Sequence, residues 1–253
     1  MKKISIIIPC FNEEKGIGKV IEGIPRKKLE ALNYILDIVV VDNNSSDKTA
    51  EIAKSKGARV INEKKQGKGH AIIKAFKNLP RDAEIVVMLD GDNTYKSYEM
   101  LRLIEPLDTN FCDVVIGTRL SGKMSKDSMS YLNRIGNWAL TFLVRIGYHG
   151  NVTDVCSGYF AWKKKVIDFI MPYLESEGFA IEMEMITKMA RMGFEIYSVP
   201  ITYECREGHS NLNLFTDGRK ILSTWVKNFG WKPKIMYRKK KSWFERQKFF
   251  NLK

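Results

Sequence analysis

The sequence predicts an α/β fold in which a doubly wound, mixed sheet is flanked by helices. Three observations predict it. Short apolar runs rich in Val and Ile alternate along the chain with stretches of helical spacing. Two of these runs are followed at once by an acidic residue, Asp42 or Asp90. The 253 residues, 44% of them apolar, suffice for one sizeable core, and no linker rich in Pro, Gly or Ser divides them.

The first half of the chain alternates between the two element types. The apolar runs predict strands at residues 4–8, 36–41, 58–61 and 84–89. The helical spacings predict helices at residues 16–24, from a cap at Ser45 or Ser46 to about residue 56, and at 69–77. Ligand sites in such sheets lie at the carboxyl ends of the strands, so we expect the polar residues that follow residues 8, 41 and 89 to converge.

The pattern is looser in the second half. Strands are predicted at residues 113–117, 157–162 and 194–199. Helices are predicted at residues 131–145, 182–191 and 216–228. No run approaches the roughly 20 apolar residues that span a bilayer, and the apolar stretch after the first three residues is too short for a signal peptide, so we expect neither.

Composition and spacing disfavour several protein classes. Cys10, Cys112, Cys156 and Cys205 form no CxxC pair, which disfavours a zinc site or a disulfide framework. The GxG sequences at 16–18 and 67–69 lack the third glycine of a dinucleotide fingerprint, which disfavours a nicotinamide enzyme. No GxxxxGK[ST] loop is present, which disfavours a Walker-type ATPase. The net charge of +13, from 42 Lys and Arg against 29 Asp and Glu, predicts an anionic partner.

The sequence Asp90-Gly91-Asp92 directly follows the predicted strand at 84–89. Residues i and i+2 of an extended segment point the same way, so both carboxylates can face one ion. Such oxygen ligands suit Mg2+ or Mn2+, which commonly use one or two carboxylates plus substrate phosphates. A bound divalent ion neutralises the charge that grows on a diphosphate leaving group. The alternative is an acidic loop without a ligand, because acidic loops after strands are common.

Two further strand ends carry polar residues. Asp42 begins the run Asp-Asn-Asn-Ser-Ser-Asp-Lys-Thr at residues 42–49, which reads either as a helix start or as a contact with a nucleotide base or ribose. Residues 9–14 place the aromatic Phe11 and the acidic Glu13 after the first strand. Aromatic stacking together with carboxylate hydrogen bonds indicates a nucleoside pocket.

Together, these segments resemble family 2 of the inverting glycosyltransferases, which have the GT-A fold, and within it the dolichyl-phosphate mannose and glucose synthase group. The matching segments run in order along the chain: 8–14, 41–49, 66–69, 90–92, 117–119, 153–159 and 206–212. The ordered series carries the resemblance, since one motif alone would be weak. We accordingly assign residues 1–212 to a catalytic domain and 213–253 to an amphipathic, basic segment.

The resemblance implies roles for the matched positions. It implies that one group of residues binds the substrates: Pro9, Phe11, Glu13, Asp42, Lys68, Asp90, Gly91, Arg134, Asp154, Ser157, Glu184 and Ser210. It implies that Asp92 and Asp90 ligate the metal, and Asn93 lies where some relatives have a glutamine ligand. Glu182 and Glu184 both fall in the acidic helix of the family. The sequence does not decide which of the two faces the site.

Three arginines are candidates to bind the phosphates of donor and acceptor: Arg119, Arg134 and Arg206. Guanidinium groups make bidentate, charge-assisted contacts with phosphate oxygens, although any one arginine can equally be a surface salt-bridge residue. Many relatives have Ser-Lys-Leu where this chain has Ser-Asn-Leu at 210–212, so one positive charge is missing there. Asn-Asn-Ser at 43–45 and Asp-Asn-Thr-Tyr at 92–95 resemble glucose- or N-acetylglucosamine-type synthases more than mannose synthases, which favours UDP over GDP.

The reaction implied is transfer of a sugar from a nucleotide-diphosphate sugar to polyprenyl or dolichyl phosphate, with inversion. The acceptor phosphate is already an anion near neutral pH, so no strong catalytic base is required. Asp92, Arg119 and Arg206 are the residues expected to carry the reaction. They would align the acceptor oxygen with the anomeric carbon and stabilise the departing diphosphate.

A lipid acceptor predicts peripheral binding to an anionic membrane surface, at its cytoplasmic face. The helix at 131–145 either lies in the interface, with Trp138, Phe142 and Leu143 toward lipid, or packs on the sheet. Residues 231–253 interleave six aromatic side chains with basic ones, which is typical of binding to an anionic leaflet but also of a solvated tail.

Two other functions fit parts of the sequence. A family 2 transferase could act on a polysaccharide or another glycan with the same donor site. A basic, aromatic tail also binds RNA in other proteins, and that reading predicts RNA binding that survives loss of Asp92. We expect no nucleic-acid partner.

Overall fold

The computed structural model describes residues 1–148, 151–208 and 213–237. Its strands are β1 (Lys2–Cys10), β2 (Tyr34–Asp42), β3 (Arg59–Asn62), β4 (Ala83–Met88), β5 (Val114–Met124), β6 (Phe160–Lys163) and β7 (Ile196–Tyr203). Its α-helices are α1 (Ile17–Glu22), α2 (Arg26–Ala31), α3 (Thr49–Ser55), α4 (Lys68–Lys77), α5 (Met100–Asp108), α6 (Tyr131–Tyr148), α7 (Lys164–Ile170), α8 (Ile181–Met192) and α9 (Leu214–Phe229).

The strands form one mixed sheet in the order β3-β2-β1-β4-β6-β5-β7. Strands β1 to β4 are parallel where they pair, and β6 runs antiparallel between β4 and β5. Cys10 at the end of β1 lies opposite Asp42 at the end of β2, and Ile7 lies opposite Met88 near the end of β4. The carboxyl ends of these strands therefore meet at one edge, as expected. The predicted fold class is confirmed.

Helices cover both faces of the sheet. Ile7, Val39 and Val86 belong to the core on the face of α4 and α8, whereas Ile6 and Val40 belong to the core on the face of α1 and α5. Strands buried on both faces need apolar side chains at successive positions, because each face has its own core. This explains why the apolar runs are continuous rather than alternating.

Three helices are missing from the sequence-based prediction: α2, α5 and α7. Helix α2 has six residues and buries only Leu29, so it has no visible period. Helix α5 buries one face, but Pro106 lies inside its last turns and reads as a helix stop in the sequence. The strand predicted at 113–117 continues as β5 to Met124, where the burial pattern alternates. No helix among the described residues is long and apolar enough to cross a membrane.

The described part of the C-terminal segment packs on the rest of the fold. Asn228 of α9 donates to the Thr187 hydroxyl of α8 over 2.8 Å, and both side chains are buried. After α9, the ring of Tyr237 stacks on Phe194 with centroids 4.4 Å apart. The proposed boundary at residue 212 stays a prediction, and most of the basic, aromatic tail lies outside the described residues.

Candidate active site

The loops after β1 and β2 are joined by hydrogen bonds. Asn12, at a positive φ of 56°, accepts from the Ser46 N–H at 2.8 Å, and the Ser45 hydroxyl accepts from the Asn12 N–H. The Thr49 hydroxyl accepts from the Glu13 N–H at 2.8 Å. These bonds fix Glu13 at the edge of the sheet. The predicted helix cap at Ser45 or Ser46 is wrong, because both residues hydrogen-bond to Asn12 in the loop after β1 and α3 begins only at Thr49.

Close backbone packing places the Asp90-Gly91-Asp92 turn beside the end of β1. A Cβ atom on Gly91 would lie 2.4 Å from Cys10 Sγ, and one on Gly16 would lie 2.6 Å from the Gly91 carbonyl oxygen. Both contacts are too short for any side chain, so only glycine fits at either position. The turn is thereby held between β1 and the start of α1. Its two carboxylates lie at the edge where the strands end.

The segment after β7 brings Arg206 to this turn. The Glu207 N–H donates to the Asp92 carbonyl at 3.1 Å, and the Glu204 N–H donates to that of Thr94 at 3.0 Å. Arg206 Nη2 lies 2.7 Å from Asp92 Oδ2, an ion pair without hydrogen-bond alignment. The other oxygen of Asp92 accepts from the N–H and the hydroxyl of Thr94.

A cavity opens where these loops meet. It combines two aromatic rings, three carboxylates and two cationic side chains. Its lining residues are Pro9, Cys10, Phe11, Glu13, Asn43, Gln66, Gly67, Lys68, Ala71, Asp90, Gly91, Asp92, Phe179 and Arg206.

Lys68 links two acidic side chains at this cavity. Its Nζ lies 2.7 Å from Asp90 Oδ1 and 2.7 Å from Glu182 Oε1. Burial alone lowers the pKa of Lys68, but the charges of Asp90 and Glu182 outweigh burial and hold that pKa above its usual value. Lys68 is therefore a permanent cation beside the acidic turn.

Burial and mutual repulsion shift the pKa values of the acidic groups at the cavity. Burial, and then the charge of Asp92, raises the pKa of Glu13 to about 8. Burial, and then Asp90, likewise raises the pKa of Asp92. Glu13 Oε2 is buried and accepts no hydrogen bond from the described residues. A bound cation would relieve this repulsion.

We expect this repulsion to make the ligand-free protein less stable as pH rises. A carboxyl group whose pKa is higher in the folded state binds more protons there, so the free energy of unfolding falls between the unfolded value near 4.5 and the folded value of about 8. The melting temperature, measured with a chelator, should drop by several degrees from about pH 5 to about pH 8. Glu13→Gln should flatten this slope, and an unchanged slope would contradict the assignment.

Arg119 and Asp154, which do not line the cavity, form a buried ion pair. The Arg119 guanidinium donates to both carboxylate oxygens of Asp154, at 2.8 Å each, and the backbone N–H of Arg119 donates to the same carboxylate. Asn137 of α6 also donates to Asp154, at 2.6 Å. Burial alone raises the pKa of Asp154, but Arg119 and these hydrogen bonds hold it below its usual range. The phosphate contact expected of Arg119 stays a prediction.

The cavity unites eight of the residues expected from the sequence: Pro9, Phe11, Glu13, Lys68, Asp90, Gly91, Asp92 and Arg206. Others do not line it. Asp42 accepts from the Ser45 N–H, Ser157 donates to the Gly117 carbonyl, and Asn93 donates to Glu207. Arg134 is exposed on α6. Ser210 lies outside the described residues, and the roles expected of these residues stay predictions.

Glu182 and Glu184, between which the sequence did not decide, have different partners, and neither lines the cavity. The Glu182 carboxylate reaches Lys68, whereas that of Glu184 pairs with Lys188 and accepts N–H bonds from residues 175 and 176. Sequence reasoning also assigned no role to Asn43, whose side chain holds the backbone at Glu63, Lys65 and Gly67. Its place beside Asp42 was the available signal.

The donor set suits a hard divalent cation. Asp90 and Asp92 offer carboxylate oxygens, and Glu13 Oε2 is a buried oxygen that accepts no hydrogen bond from the described residues. Among the described residues, no three His, Cys, Asp or Glu side chains are arranged as a complete metal site. The protein thus offers an incomplete set of carboxylates, as Mg2+ and Mn2+ sites that use substrate phosphates do.

Comparison with known proteins gives a consistent result. Residues 5–170 match the family described as Glycosyl transferase family 2. The chain is similar to the low-salt glycan biosynthesis hexosyltransferase Agl6 of Haloferax volcanii, with 34% identity over 85% of this chain and 51% of that protein. It is also similar to a dolichyl-phosphate hexose transferase of the same organism, with 32% identity over 88% of this chain and 92% of that protein. The chain spans about half the length of Agl6.

Solved structures agree on the fold. Glucosyl-3-phosphoglycerate synthase from Mycobacterium tuberculosis, in complex with Mn2+, UDP and phosphoglyceric acid, has a TM-score of 0.69 and 23% identity. The match covers 90% of this chain and 79% of that chain. With the family match over residues 5–170, these similarities show that the chain belongs to glycosyl transferase family 2.

Proposed function

We propose that the protein transfers a sugar from a nucleotide-diphosphate sugar to polyprenyl or dolichyl phosphate, with inversion of the anomeric centre. The observation that carries this proposal is the cavity at the ends of β1, β2 and β4. It combines aromatic rings for a base with cations and carboxylates for a metal-bound diphosphate. The similarity to a dolichyl-phosphate hexose transferase supports the acceptor.

Different lining residues would bind different parts of the donor. Phe11 and Phe179 offer ring faces on which a nucleoside can stack. Lys68 and Arg206 are cations that attract the diphosphate. The local variants at residues 43–45 favour UDP with glucose or N-acetylglucosamine.

Asp90 and Asp92 are the residues that would hold Mg2+ or Mn2+. When bound there, the ion stabilises the negative charge that develops on the departing diphosphate. Arg206 now pairs with Asp92. A metal ion held by Asp92 would compete for that carboxylate, and the Arg206 guanidinium would then be placed to bind a phosphate in a bidentate manner. Since the acceptor is itself an anion, the chain needs to align it rather than deprotonate it.

Helix α6 packs on the core through Val144 and Tyr148 but also exposes a large apolar side. The buried side of the helix carries the polar Asn137 and Thr141, which bind Asp154 and the Val155 N–H. The exposed side carries six large hydrophobic residues: Tyr131, Leu132, Ile135, Trp138, Phe142 and Ile146. The exposed apolar side favours a helix that lies in the membrane interface over one that only packs on the protein.

The basic residues of α6 and α9 favour contact with an anionic surface. Helix α6 carries Arg134 and Arg145 and no acidic residue, and α9 carries three basic residues and one acidic residue. Helix α9 also exposes Phe215, Val226 and Phe229. We therefore propose peripheral binding of this face to an anionic lipid surface at the cytoplasmic face of a membrane.

Replacing Trp138 and Phe142 by serine should weaken binding to vesicles of phosphatidylcholine and phosphatidylglycerol at least about tenfold, because each ring buries apolar area in the lipid. Co-sedimentation measures the effect. Leu32→Ser is the matched control, since Leu32 is also exposed but precedes β2, at the opposite edge of the sheet. Equal loss in the control, or none in the double variant, would contradict the assignment.

The function is tested by incubating the protein with a short-chain dolichyl phosphate, Mg2+ or Mn2+, and a panel of UDP- and GDP-sugars. Mass spectrometry then follows the lipid phosphate. A lipid-phosphate sugar from one donor is expected. Transfer only to a soluble glycan would establish a glycan acceptor instead, and RNA binding without any transfer would favour the nucleic-acid function.

A further inference from the structure

Residues 174–179, here called the 174–179 loop, connect the turn at Met171–Tyr173 to α8 without helix or strand. This loop lies across the start of α4. The Glu177 carbonyl accepts from the Gly69 N–H at 2.8 Å and from the His70 N–H at 3.3 Å. Two orphan donors of the first helical turn are thereby satisfied by the loop. At its far end, Phe179 lines the donor cavity.

The start of α4 is shaped to receive this loop. Gly67 has a φ of +135°, and a Cβ atom there would lie 2.3 Å from the Glu177 carbonyl oxygen. A Cβ atom on Gly69 would lie 1.8 Å from the Ser176 carbonyl oxygen. Only glycine permits this approach. Between these two glycines is Lys68, which contacts Asp90 and Glu182 at the cavity.

The Glu184 side chain on α8 binds the backbone of the 174–179 loop. Its Oε2 accepts from the N–H groups of Glu175 at 3.0 Å and Ser176 at 2.8 Å. Its Oε1 lies 2.7 Å from Lys188 Nζ, and Lys188 also donates to the Tyr173 carbonyl. The side chains of Glu184 and Lys188 are only 4% and 3% exposed. A buried ion pair thus grips the backbone on both sides of residue 174.

We propose that Glu184 is a positioning residue for donor binding. It clamps the 174–179 loop so that Phe179 and the Gly67–Lys68 turn keep the shape that receives the nucleotide. The inference rests on the proposed function in one respect, that this cavity binds the nucleotide sugar. Glu184 touches no substrate, because its carboxylate is fully engaged by the loop and by Lys188.

The physical reason is preorganisation. A loop without helix or strand gains conformational freedom when its anchors are removed, and a ligand must then restore the order at its own cost in affinity. Charge-assisted bonds to a buried carboxylate are the strongest anchors that the loop has. Their loss should act on donor affinity more than on the chemical step.

Glu184→Gln tests the clamp. Both carboxylate oxygens face donors, so the amide nitrogen of glutamine must oppose an N–H group or the Lys188 ammonium. We expect KM for the nucleotide sugar to rise about tenfold while kcat stays within about threefold. Asp168→Asn, which removes an exposed carboxylate on α7, is the matched control and should leave both constants unchanged.

Gly69→Ala approaches the same contact from the other side, without leaving Lys188 buried beside a neutral partner. Its Cβ atom must push the Ser176 carbonyl away, so the same rise in KM is expected. The double variant should have a donor KM no higher than that of the more severely affected single variant, because both substitutions release the same loop. Independent effects that multiply would overturn the proposal.

Hydrogen exchange gives a readout that does not depend on activity. Amides of residues 175–178 should exchange faster in both variants than in the wild type, with the sheet unchanged. Unchanged exchange and unchanged KM would overturn the clamp. The proposal is also overturned if the wild type transfers sugar while both variants keep the wild-type KM for the donor. If the wild type is inactive with every donor, the proposed function is refuted, and hydrogen exchange alone then tests whether Glu184 clamps the loop.

Discussion

Replacing Asp92 by asparagine should lower the rate of sugar transfer about a thousandfold or more. The change removes the charge of a proposed metal ligand, and the leaving diphosphate then loses much of its stabilisation. Asparagine retains an oxygen for the Thr94 hydrogen bonds, so the turn should keep its shape. The fold should not suffer, because Asp92 raises the pKa of Glu13 and its neutralisation relieves that repulsion.

The measurement is transfer rate against Mn2+ concentration, with melting temperature measured in parallel. Asp82→Asn is the matched control, since it removes an exposed carboxylate just before β4, at the opposite edge of the sheet. We expect the control to match the wild type in both quantities. Transfer by the Asp92 variant within about threefold of the wild type would show that this carboxylate holds no catalytic ion.

Replacing Asp154 by alanine should destabilise the fold by about 3–5 kcal/mol, because it leaves Arg119 buried without its partner. Arg119 is 7% exposed and Asp154 is fully buried. The variant also deprives the Asn137 amide and the Arg119 N–H of their acceptor. For a domain of this size, each kcal/mol corresponds to about 2–4 °C in melting temperature.

A double variant separates the charge from the packing. Arg119→Met with Asp154→Leu removes both charges and fills the volume with apolar atoms, so it should recover much of the stability lost by Asp154→Ala. Thermal unfolding of the wild type, the two matching single variants Arg119→Met and Asp154→Leu, and the double variant gives the coupling energy. If Asp154→Ala unfolds at the temperature of the wild type, the ion pair contributes nothing and Arg119 is available for phosphate.

The sheet and its functional edge were predictable from the sequence. Buried strands leave continuous apolar runs, and the polar residues after them mark the carboxyl ends where ligands bind. Asp90 and Glu13 could therefore be placed together without coordinates. The short helices α2 and α7 could not, because six or seven residues give too few turns for a period to show.

The acidic helix α8 shows the limit of sequence patterns. Glu182 and Glu184 are two residues apart and point about 200° away from each other. A polar pattern normally marks the exposed face, but here both are buried, at 5% and 3% exposure. Each is satisfied by a partner distant in sequence or by loop backbone, Lys68 for one and residues 175–176 for the other. Their different roles follow only from tertiary contacts.

The pairing of Arg119 with Asp154 has the same cause. Both residues lie in segments that resemble the family, and each was expected to meet a substrate. They are 35 residues apart in the chain, and no spacing rule connects them. Phe179 was likewise unassigned, because a single aromatic residue in an irregular loop carries no period.

The measurement closest to the central claim is the anomeric configuration of the lipid product. The protein, with an α-linked nucleotide sugar, dolichyl phosphate in vesicles and Mn2+, should yield a sugar joined to the lipid phosphate by a β bond, and a chelator should stop its formation. This outcome follows from direct attack of the acceptor phosphate on the anomeric carbon. An α-linked product, or sugar released only into water, would contradict the account.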